Sequence, residues 1–343
     1  MDFTSKYILI VFITFLVSFL ATFIVKKIAI YVNALDIPNE RKIHKKPMPR
    51  LGGLAIFAAF LVGYILFGSI STQMISILIG GFIIILTGIV DDIKPIPAKI
   101  KFVFQALAAI TVVIYGQLYF NDITILGSTF VFPLYINKFL SVFFVLGIIN
   151  AMNFIDGLDG LSSGISSIYF LTISIIAIVL NRLGGLDVTL ALIMLGATLG
   201  FLEHNFPPAK IFIGDTGSMF LGFMISVIAL LGYKLATITS LIIPLLLLFI
   251  PIVDTLLAIV RRLIKHEAID KPDKEHLHHQ LLKLTSSQTK TVLIIYAINI
   301  IFSAITILYV LKDNTLAMIL YVLVMILLLF LIAKTDILFK HKK

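Results

Sequence analysis

Long apolar runs, separated by short polar segments, dominate the chain. Many are about 18–25 residues long, the length that an α-helix needs to cross a bilayer. The first run spans residues 7–30 and is too long for a signal-peptide core, so we expect it to remain as a membrane span. Ten more follow, at 52–70, 74–90, 100–116, 138–153, 161–181, 187–203, 216–233, 237–260, 291–311 and 315–333. The pattern predicts an all-α polytopic integral membrane protein with about 11 transmembrane helices.

Composition supports this fold class and limits the kinds of cross-link and metal site that the chain can form. The 343 residues are 60% hydrophobic and 13% charged, whereas a soluble domain carries about 25% charged residues. Cysteine is absent. Disulfide frameworks and cysteine-ligated metals are therefore excluded, and a metal has to bind oxygen or imidazole.

The distribution of basic residues predicts the orientation, because positively charged loops stay in the cytoplasm. With the N-terminus outside and the C-terminus cytoplasmic, 22 of the 27 lysine and arginine residues lie on the cytoplasmic side. This asymmetry explains the net charge of +9, and no motif indicates nucleic-acid binding. Outside, residues 117–137 are patterned like a small hairpin around Gly127.

Chemically versatile residues gather in the loops that this topology places in the cytoplasm, at 31–51, 91–100, 153–161, 203–216 and 261–290. We expect these loops to form one functional site in a single transmembrane domain, residues 1–343. Asp91 and Asp92 close the third span. One of them can face a metal and the other a substrate, or both can simply be solvated at the end of the helix.

The stretch "NAMNFIDGLDGL" follows the fifth apolar run. Asn150 and Asn153 lie on nearly one helical face, and glycines 157 and 160 allow a turn that brings Asp156 and Asp159 over the same pocket. The alternative is a polar turn that only caps two helices.

The stretch "FIGDTGS" indicates a turn into the eighth span, with Asp215 at or near the N-cap. An aspartate at a helix N-terminus can hold Mg²⁺ against phosphate oxygens, or it can be an ordinary cap. Lys101, at the start of the fourth span, can contact phosphate or extend toward the membrane surface. Gly52 and Gly53 allow close backbone approach.

Basic residues and histidines complete the candidate site. The stretch "EHLHHQLL" supplies His276, His278 and His279, which can contact an anion or remain in a solvated loop. No pattern there supports zinc. Further anion contacts are expected from the basic residues of two other loops, namely Lys45, Arg50, Arg261 and Arg262.

Hard oxygen ligands, cations and glycine turns at a cytoplasmic membrane surface together indicate phosphoryl transfer assisted by Mg²⁺, or by Mn²⁺ in its place. One reactant would be a lipid in the bilayer and the other a polar nucleotide from the cytosol. We therefore expect a multi-pass protein of the cell membrane whose active site lies on the cytoplasmic face.

Several ordered motifs resemble those of the polyprenyl-phosphate N-acetylhexosamine-1-phosphate transferases. They are "LDIPNERKIHKKPMPRLGG", the "DD" pair, "KFVFQ", "NAMNFIDGLDGL", "NFPPAKIFIGDTGSMFLG" and "HLHHQLL", and the resemblance covers residues 7–335. The P-x-P-R-x-G-G segment and the H-x-H-H loop look like the WecA and TagO branch. Arg50 and the eleventh span differ from the MraY branch.

This resemblance implies transfer of N-acetylglucosamine 1-phosphate, or a related N-acetylhexosamine 1-phosphate, from a UDP-sugar to undecaprenyl phosphate. UMP is released, as the first membrane step of a cell-surface glycan such as teichoic acid or lipopolysaccharide O-antigen. It further implies roles for the candidate residues. Asp215 would bind Mg²⁺, with Asp91 and Asp92 facing the metal and the acceptor phosphate; Asp156 and Phe212 would hold the base; and His276, His278, His279 and a nearby arginine would contact the diphosphate.

Three alternatives remain at this stage. The chain could be an MraY-like phospho-N-acetylmuramoyl-pentapeptide transferase. It could be an ion-coupled transporter, for which only Asp254 lies deep enough in a span. A CDP-alcohol phosphotransferase signature also begins with Asp-x-x-Asp-Gly, but it continues with Ala-Arg where this chain has Ser162 and Ser163. Oligomeric state is open, including a homodimer.

Overall fold

The fold is described from a computed structural model, which describes residues 3–38, 46–125, 128–234, 243, 247–264, 277–311 and 314–334. Its helices are α1 (Phe3–Tyr31), α2 (Gly53–Phe67), α3 (Thr72–Ile93), α4 (Ala98–Ile110), α5 (Leu134–Ile155), α6 (Leu161–Val179), α7 (Leu186–Asn205), α8 (Gly214–Lys234), α9 (Phe249–Ile264), α10 (Leu277–Thr285), α11 (Gln288–Leu311) and α12 (Asn314–Lys334). A π-helical segment, Thr111–Tyr115, continues α4.

The all-α polytopic prediction is confirmed. In the described part of the chain, eight helices are long and apolar enough to cross a membrane, and three shorter apolar helices accompany them. Each of the eleven predicted runs overlaps one of these helices. The ninth run is described only in part, and its Pro244 lies outside the described residues. The side of the membrane that each end faces stays a prediction from the distribution of basic residues.

Two short antiparallel ribbons join the helices. Strands β3 (Ile123–Ile125) and β4 (Ser128–Phe130) form the hairpin predicted between residues 117 and 137, although its turn at Gly127 lies outside the described residues. Strands β1 (Leu35–Asp36) and β2 (Met48–Pro49) were not predicted. This second ribbon leads the chain into α2 beside the polar end of the bundle.

Helix α8 is the centre of the bundle and packs against α2, α3, α5, α6 and α7. Nearly all of its residues from Gly214 to Gly232 are buried. By contrast, α1 and α4 leave large apolar side chains exposed, among them Phe12 and Phe102. Such surfaces suit contact with lipid chains, whereas the buried α8 fixes the relative positions of its neighbours.

Close backbone contacts hold the first turn of α8. Gly53 of α2 packs directly on Gly217, and Gly88 of α3 packs on Thr216; a side chain at either glycine would overlap the backbone of α8. The backbone N–H of Gly53 also donates to Ile213 O at 2.9 Å. The predicted close approach at glycines 52 and 53 is therefore confirmed, and it places α2, α3 and α8 around one polar end of the bundle.

Candidate active site

A polar cavity of about 580 Å³ lies at the end of the bundle where α3, α5 and α7 end and where α2, α8 and α11 begin. Its walls come from segments that are far apart in the sequence. The lining residues are Asp36, Met48, Arg50, Asp92, Asn153, Asp156, Gly157, Leu158, Asp159, Asn205, Pro208, Ala209, Phe212, Ile213, Gly214, Asp215, His279 and Gln288.

Eight of the predicted site residues share this cavity: Arg50, Asp92, Asn153, Asp156, Asp159, Phe212, Asp215 and His279. Five others do not line it, namely Asp91, Lys101, Asn150, Arg262 and His278. Lys45, His276 and the side chain of Arg261 lie outside the described residues. The structure thus brings together eight of the thirteen nominated side chains that it describes.

Asp92 caps the first turn of α8. Its carboxylate accepts the N–H groups of Asp215 and Thr216, each at 3.0 Å, and the Thr216 hydroxyl at 2.6 Å. Gly214 has a φ of +69°, and a Cβ there would collide with the same carboxylate. Asp215, which was expected at or near the N-cap, is the second residue of α8, and the side chain that caps the helix comes from α3.

Arg50 closes the C-terminal end of α3. Its guanidinium donates to Asp92 O at 3.1 Å and to Asp91 O at 3.0 Å, two carbonyls that have no partner within the helix. The same guanidinium lies 3.9 Å from the Asp36 carboxylate. Arg50 therefore fixes the end of the helix that carries Asp91 and Asp92, while also lining the cavity.

Lys101 joins two carboxylates at the edge of the cavity. Its Nζ lies 2.9 Å from Asp215 Oδ2 and 3.2 Å from Asp91 Oδ2. Asp91 Oδ1 also accepts the N–H of Ile96, at 2.9 Å. The point between Asp91 and Asp215 therefore already binds a positive charge, although Asp91 itself does not face the cavity.

The two asparagines of α5 diverge. Asn153 donates to Ser218 on α8 at 2.9 Å and lines the cavity, whereas Asn150 donates to Gln105 on α4 at 2.9 Å. Residues three apart differ by about 60° around a helix, which is enough to aim them at different neighbours. The expectation that all four polar residues of this stretch share one pocket is thus wrong for Asn150.

Hydrogen bonds hold the turn between α5 and α6. Asp159 accepts the N–H of Ala209 at 2.9 Å, and Asp156 accepts the Ser162 hydroxyl at 2.5 Å. Asn205 accepts the N–H of Gly160 at 3.1 Å. The bonds to Ala209 and Asn205 tie the turn to the end of α7 and to the segment that follows it, so that two loops form one cavity wall.

Asp156 has a strongly perturbed acidity. Burial raises the pKa of its carboxyl, the Ser162 hydrogen bond opposes this, and the nearby carboxylates of Asp215 and Asp92 add to it, so that the pKa is about 8. A carboxyl group with this pKa carries a proton at neutral pH. Asp156 can therefore donate a hydrogen bond to a ligand, which an ionised carboxylate cannot do.

Helix α10 carries two histidines whose side chains are described, and they occupy different environments. His279 lines the cavity, whereas His278 is 2% exposed and packs on Gly157 and on the His279 ring. His278 Nδ1 lies 3.4 Å from Asp254 Oδ2. Asp254, the residue on which the transporter alternative depended, also accepts the N–H of Leu277. It therefore faces α10.

Several cavity residues were missed by reasoning from the sequence. Asp36 and Asn205 stand within quoted motifs, "LDIPNERK…" and "NFPPAK…", where a polar residue beside a turn was a usable signal. Gln288 gave no signal, because a glutamine at the start of a helix is common. Its position in the cavity follows from the packing of α10 against α11.

The charges of the cavity bear on the expected Mg²⁺. Among the described residues, five carboxyl groups and one arginine line it: Asp36, Asp92, Asp156, Asp159, Asp215 and Arg50. Such walls would repel a diphosphate unless a cation joined it. The described residues contain no cluster of three or more potential metal ligands. Mg²⁺ commonly takes one or two carboxylates and completes its shell with water and substrate phosphate, and its binding here stays a prediction.

Comparison with known proteins gives a consistent result. The sequence model of Glycosyl transferase family 4 matches residues 74–233. A Bacillus subtilis protein named probable undecaprenyl-phosphate N-acetylglucosaminyl 1-phosphate transferase is 43% identical, over 91% of this chain and 87% of its own length. The decaprenyl-phosphate N-acetylglucosaminephosphotransferase of Mycobacterium tuberculosis is 36% identical, over 82% and 77%.

A third relative is more distant and covers a similar share of the chain. The undecaprenyl-phosphate alpha-N-acetylglucosaminyl 1-phosphate transferase of Escherichia coli is 29% identical, over 78% of this chain and 74% of its own length. The family model covers the segments that carry Asp92, Asn153, Asp156 and Asp215, and the Bacillus relative matches along 91% of the chain. The predicted resemblance is thereby confirmed: the chain is a membrane-spanning member of glycosyl transferase family 4.

Proposed function

We propose that this protein transfers N-acetylglucosamine 1-phosphate from UDP-N-acetylglucosamine to undecaprenyl phosphate and releases UMP. The observation that carries the proposal is the polar cavity at one end of an apolar bundle, in which eight predicted site residues meet. The relatives whose names state this type of transfer support it. We further propose that the cavity faces the cytoplasm, where the nucleotide donor is found.

The reaction is a displacement at phosphorus. An oxygen of the lipid phosphate forms a bond to the phosphorus that carries the sugar, and the bond from that phosphorus to the bridging oxygen breaks. The bridging oxygen leaves with UMP, so the product keeps a diphosphate linkage. A phosphate monoester has a second pKa near 6. The acceptor is therefore already dianionic at neutral pH and requires little general-base help.

The residues of this chain would act mainly by binding and charge placement. Arg50 and His279 both line the cavity and offer hydrogen-bond donors to the diphosphate of the UDP-sugar. The ring of Phe212 offers a face for the uracil base, and protonated Asp156 offers it a hydrogen bond. Lys101 lies beside Asp91, where it can attract the acceptor phosphate.

Mg²⁺ is proposed as the cofactor. Asp215 would hold it, with Asp91 as a second carboxylate, because the Lys101 ammonium already lies between the two. When bound, the metal would neutralise charge on the diphosphate and on the leaving UMP. Asp92 is engaged with the backbone of α8, so its contribution is to hold Asp215 in place.

The alternatives have less support. The relatives named above are N-acetylglucosamine transferases, which favours this donor over the muramoyl-pentapeptide donor of the MraY branch. For the transporter alternative, the deep acid Asp254 pairs with α10 instead of lining the cavity. A homodimer stays a prediction.

The proposal is tested with purified protein in detergent, undecaprenyl phosphate, Mg²⁺ and a panel of UDP-sugars. We expect UMP release with UDP-N-acetylglucosamine to exceed that with UDP-glucose, UDP-N-acetylgalactosamine and UDP-N-acetylmuramoyl-pentapeptide. Omission of undecaprenyl phosphate is the control for simple hydrolysis. If no donor yields UMP, the proposed function is wrong.

A further inference from the structure

A buried carboxylate and imidazole lie behind the cavity wall, in a pair that the proposed mechanism does not use. Asp254 of α9 and His278 of α10 are each 2% exposed. Asp254 Oδ1 accepts the N–H of Leu277, the first residue of α10, at 2.8 Å, and Oδ2 lies 3.4 Å from His278 Nδ1. One carboxylate thus caps the histidine helix and orients its second residue.

His278 carries this contact to the cavity. Its imidazole lies so close to Gly157 that a Cβ at that position would overlap Nε2, and its ring centroid is 4.3 Å from that of His279. Both Gly157 and His279 line the cavity. At the other end of the same turn, the Tyr296 hydroxyl of α11 donates to Gly160 O at 2.5 Å. Helices α10 and α11 therefore hold both ends of the turn that carries Asp156 and Asp159.

Capping alone does not require a charged residue at position 254. Asparagine caps a helix as well as aspartate does, and a carboxylate buried in a membrane protein is costly unless it is paired. The second carboxylate oxygen of Asp254 instead faces the imidazole of His278, so the two side chains make an electrostatic contact that an asparagine would weaken.

We propose that Asp254 is a positioning residue for the donor-binding wall. It acts through His278, which holds the Gly157 turn on one side and the His279 ring on the other. This inference rests on the proposed function for its kinetic consequence, but the contact itself is independent of any activity.

The test uses full-length protein in detergent and three substitutions. Asp254→Asn keeps an acceptor for the Leu277 N–H but removes the charge, and His278→Gln removes the imidazole but leaves the cap. Asp187→Asn is the matched control. Asp187 is also buried and lies in the first turn of its helix, α7, about 27 Å along the axis from the cavity end at Asn205.

We expect D254N to raise the KM for the UDP-sugar about tenfold, with little change in the KM for undecaprenyl phosphate, and to speed hydrogen exchange in residues 156–160. H278Q should reproduce both effects, and the double variant should be no worse than H278Q alone. The inference is overturned if exchange in 156–160 matches that of D187N, or if the KM values of both substrates rise equally. Absence of UMP with wild-type protein would reject the proposed function, while the exchange measurement would still decide the positioning role.

Discussion

The ammonium of Lys101 lies 2.9 Å from Asp215 Oδ2, so a side chain of α4 neutralises the carboxylate that we propose as the metal ligand. The same ammonium lies 3.2 Å from Asp91 Oδ2. A divalent cation that binds Asp215 must therefore share the carboxylate with Lys101 or displace it. Displacement would free the lysine for a phosphate, so the two events are coupled.

Lys101→Met should tighten metal binding to the substrate-free protein, because it removes the competing charge. We expect Mn²⁺ to bind about tenfold more tightly, measured by electron paramagnetic resonance titration, while UMP release becomes slower. Lys99→Met is the matched control, since Lys99 is exposed on the same helix and its loss changes the net charge equally. Equal Mn²⁺ affinity in the two variants would contradict the competition.

Asp92→Ala should destabilise the protein more than Asp91→Ala does. Asp92 accepts three hydrogen bonds from the first turn of α8, and its side chain is 0% exposed. Loss of such a buried cap costs about 2–3 kcal/mol. Thermal unfolding in detergent measures the difference. If D91A lowers the midpoint as much as D92A, the capping role of Asp92 is incorrect.

Gly53→Ala should weaken both stability and activity. A methyl group there meets the backbone at Gly217, which pushes α2 away from the turn that carries Asp215. The expected cost is about 1–3 kcal/mol. Gly147→Ala is the control, because a Cβ at Gly147 meets nothing within 4 Å. That variant should be neutral or slightly more stable, since alanine favours helix. Similar unfolding midpoints for both variants would contradict the close contact.

Asp156 predicts a pH dependence of stability. Its pKa is raised to about 8 in the folded protein from an ordinary value of 3.8, so between these two pH values the folded state binds a proton that the unfolded state has lost. The contribution of Asp156 to the free energy of unfolding therefore falls as pH rises from about 4 to about 8, and then levels off. Asp156→Asn removes the dependence.

The measurement compares unfolding midpoints of wild type and D156N at pH 5, 7 and 9. We expect the unfolding midpoint of D156N, measured relative to that of wild type, to rise by several degrees from pH 5 to pH 9. Ser162→Ala gives a useful comparison, because it removes the hydroxyl that lowers the Asp156 pKa. A constant difference between wild type and D156N across this range would show that Asp156 is already ionised at pH 5.

The fold was largely predictable because a membrane span can be recognised from the hydrophobicity of its own residues. A run such as 74–90 needs only its own residues to be recognised, and α3 contains it. The polar ends were harder. Helix α3 continues through Asp91 and Asp92 because Arg50, 41 and 42 positions away, donates hydrogen bonds to their carbonyls. A contact of that length leaves no trace in local periodicity.

The site was predictable in membership but not in detail. Residue type and spacing nominated Asp92, Asp156 and Asp215, and all three line the cavity. The contacts that each site residue makes depend on the rotation of its helix. For example, α5 directs Asn153 toward α8 and Asn150 toward α4. Likewise, only the packing of α9 on α10 reveals that His278 faces Asp254. Such pairings arise from tertiary contacts between segments that are distant in sequence.

The central claim is that these side chains form one metal-assisted transferase site around Asp215. UMP release from UDP-N-acetylglucosamine and undecaprenyl phosphate, measured for wild type and Asp215→Asn over a range of Mg²⁺ concentrations, tests it most directly. We expect Mg²⁺-dependent release by wild type and a loss of at least about 100-fold in D215N, with its unfolding midpoint little changed. Near-normal release by D215N, or wild-type release that persists in excess chelator, would contradict the account.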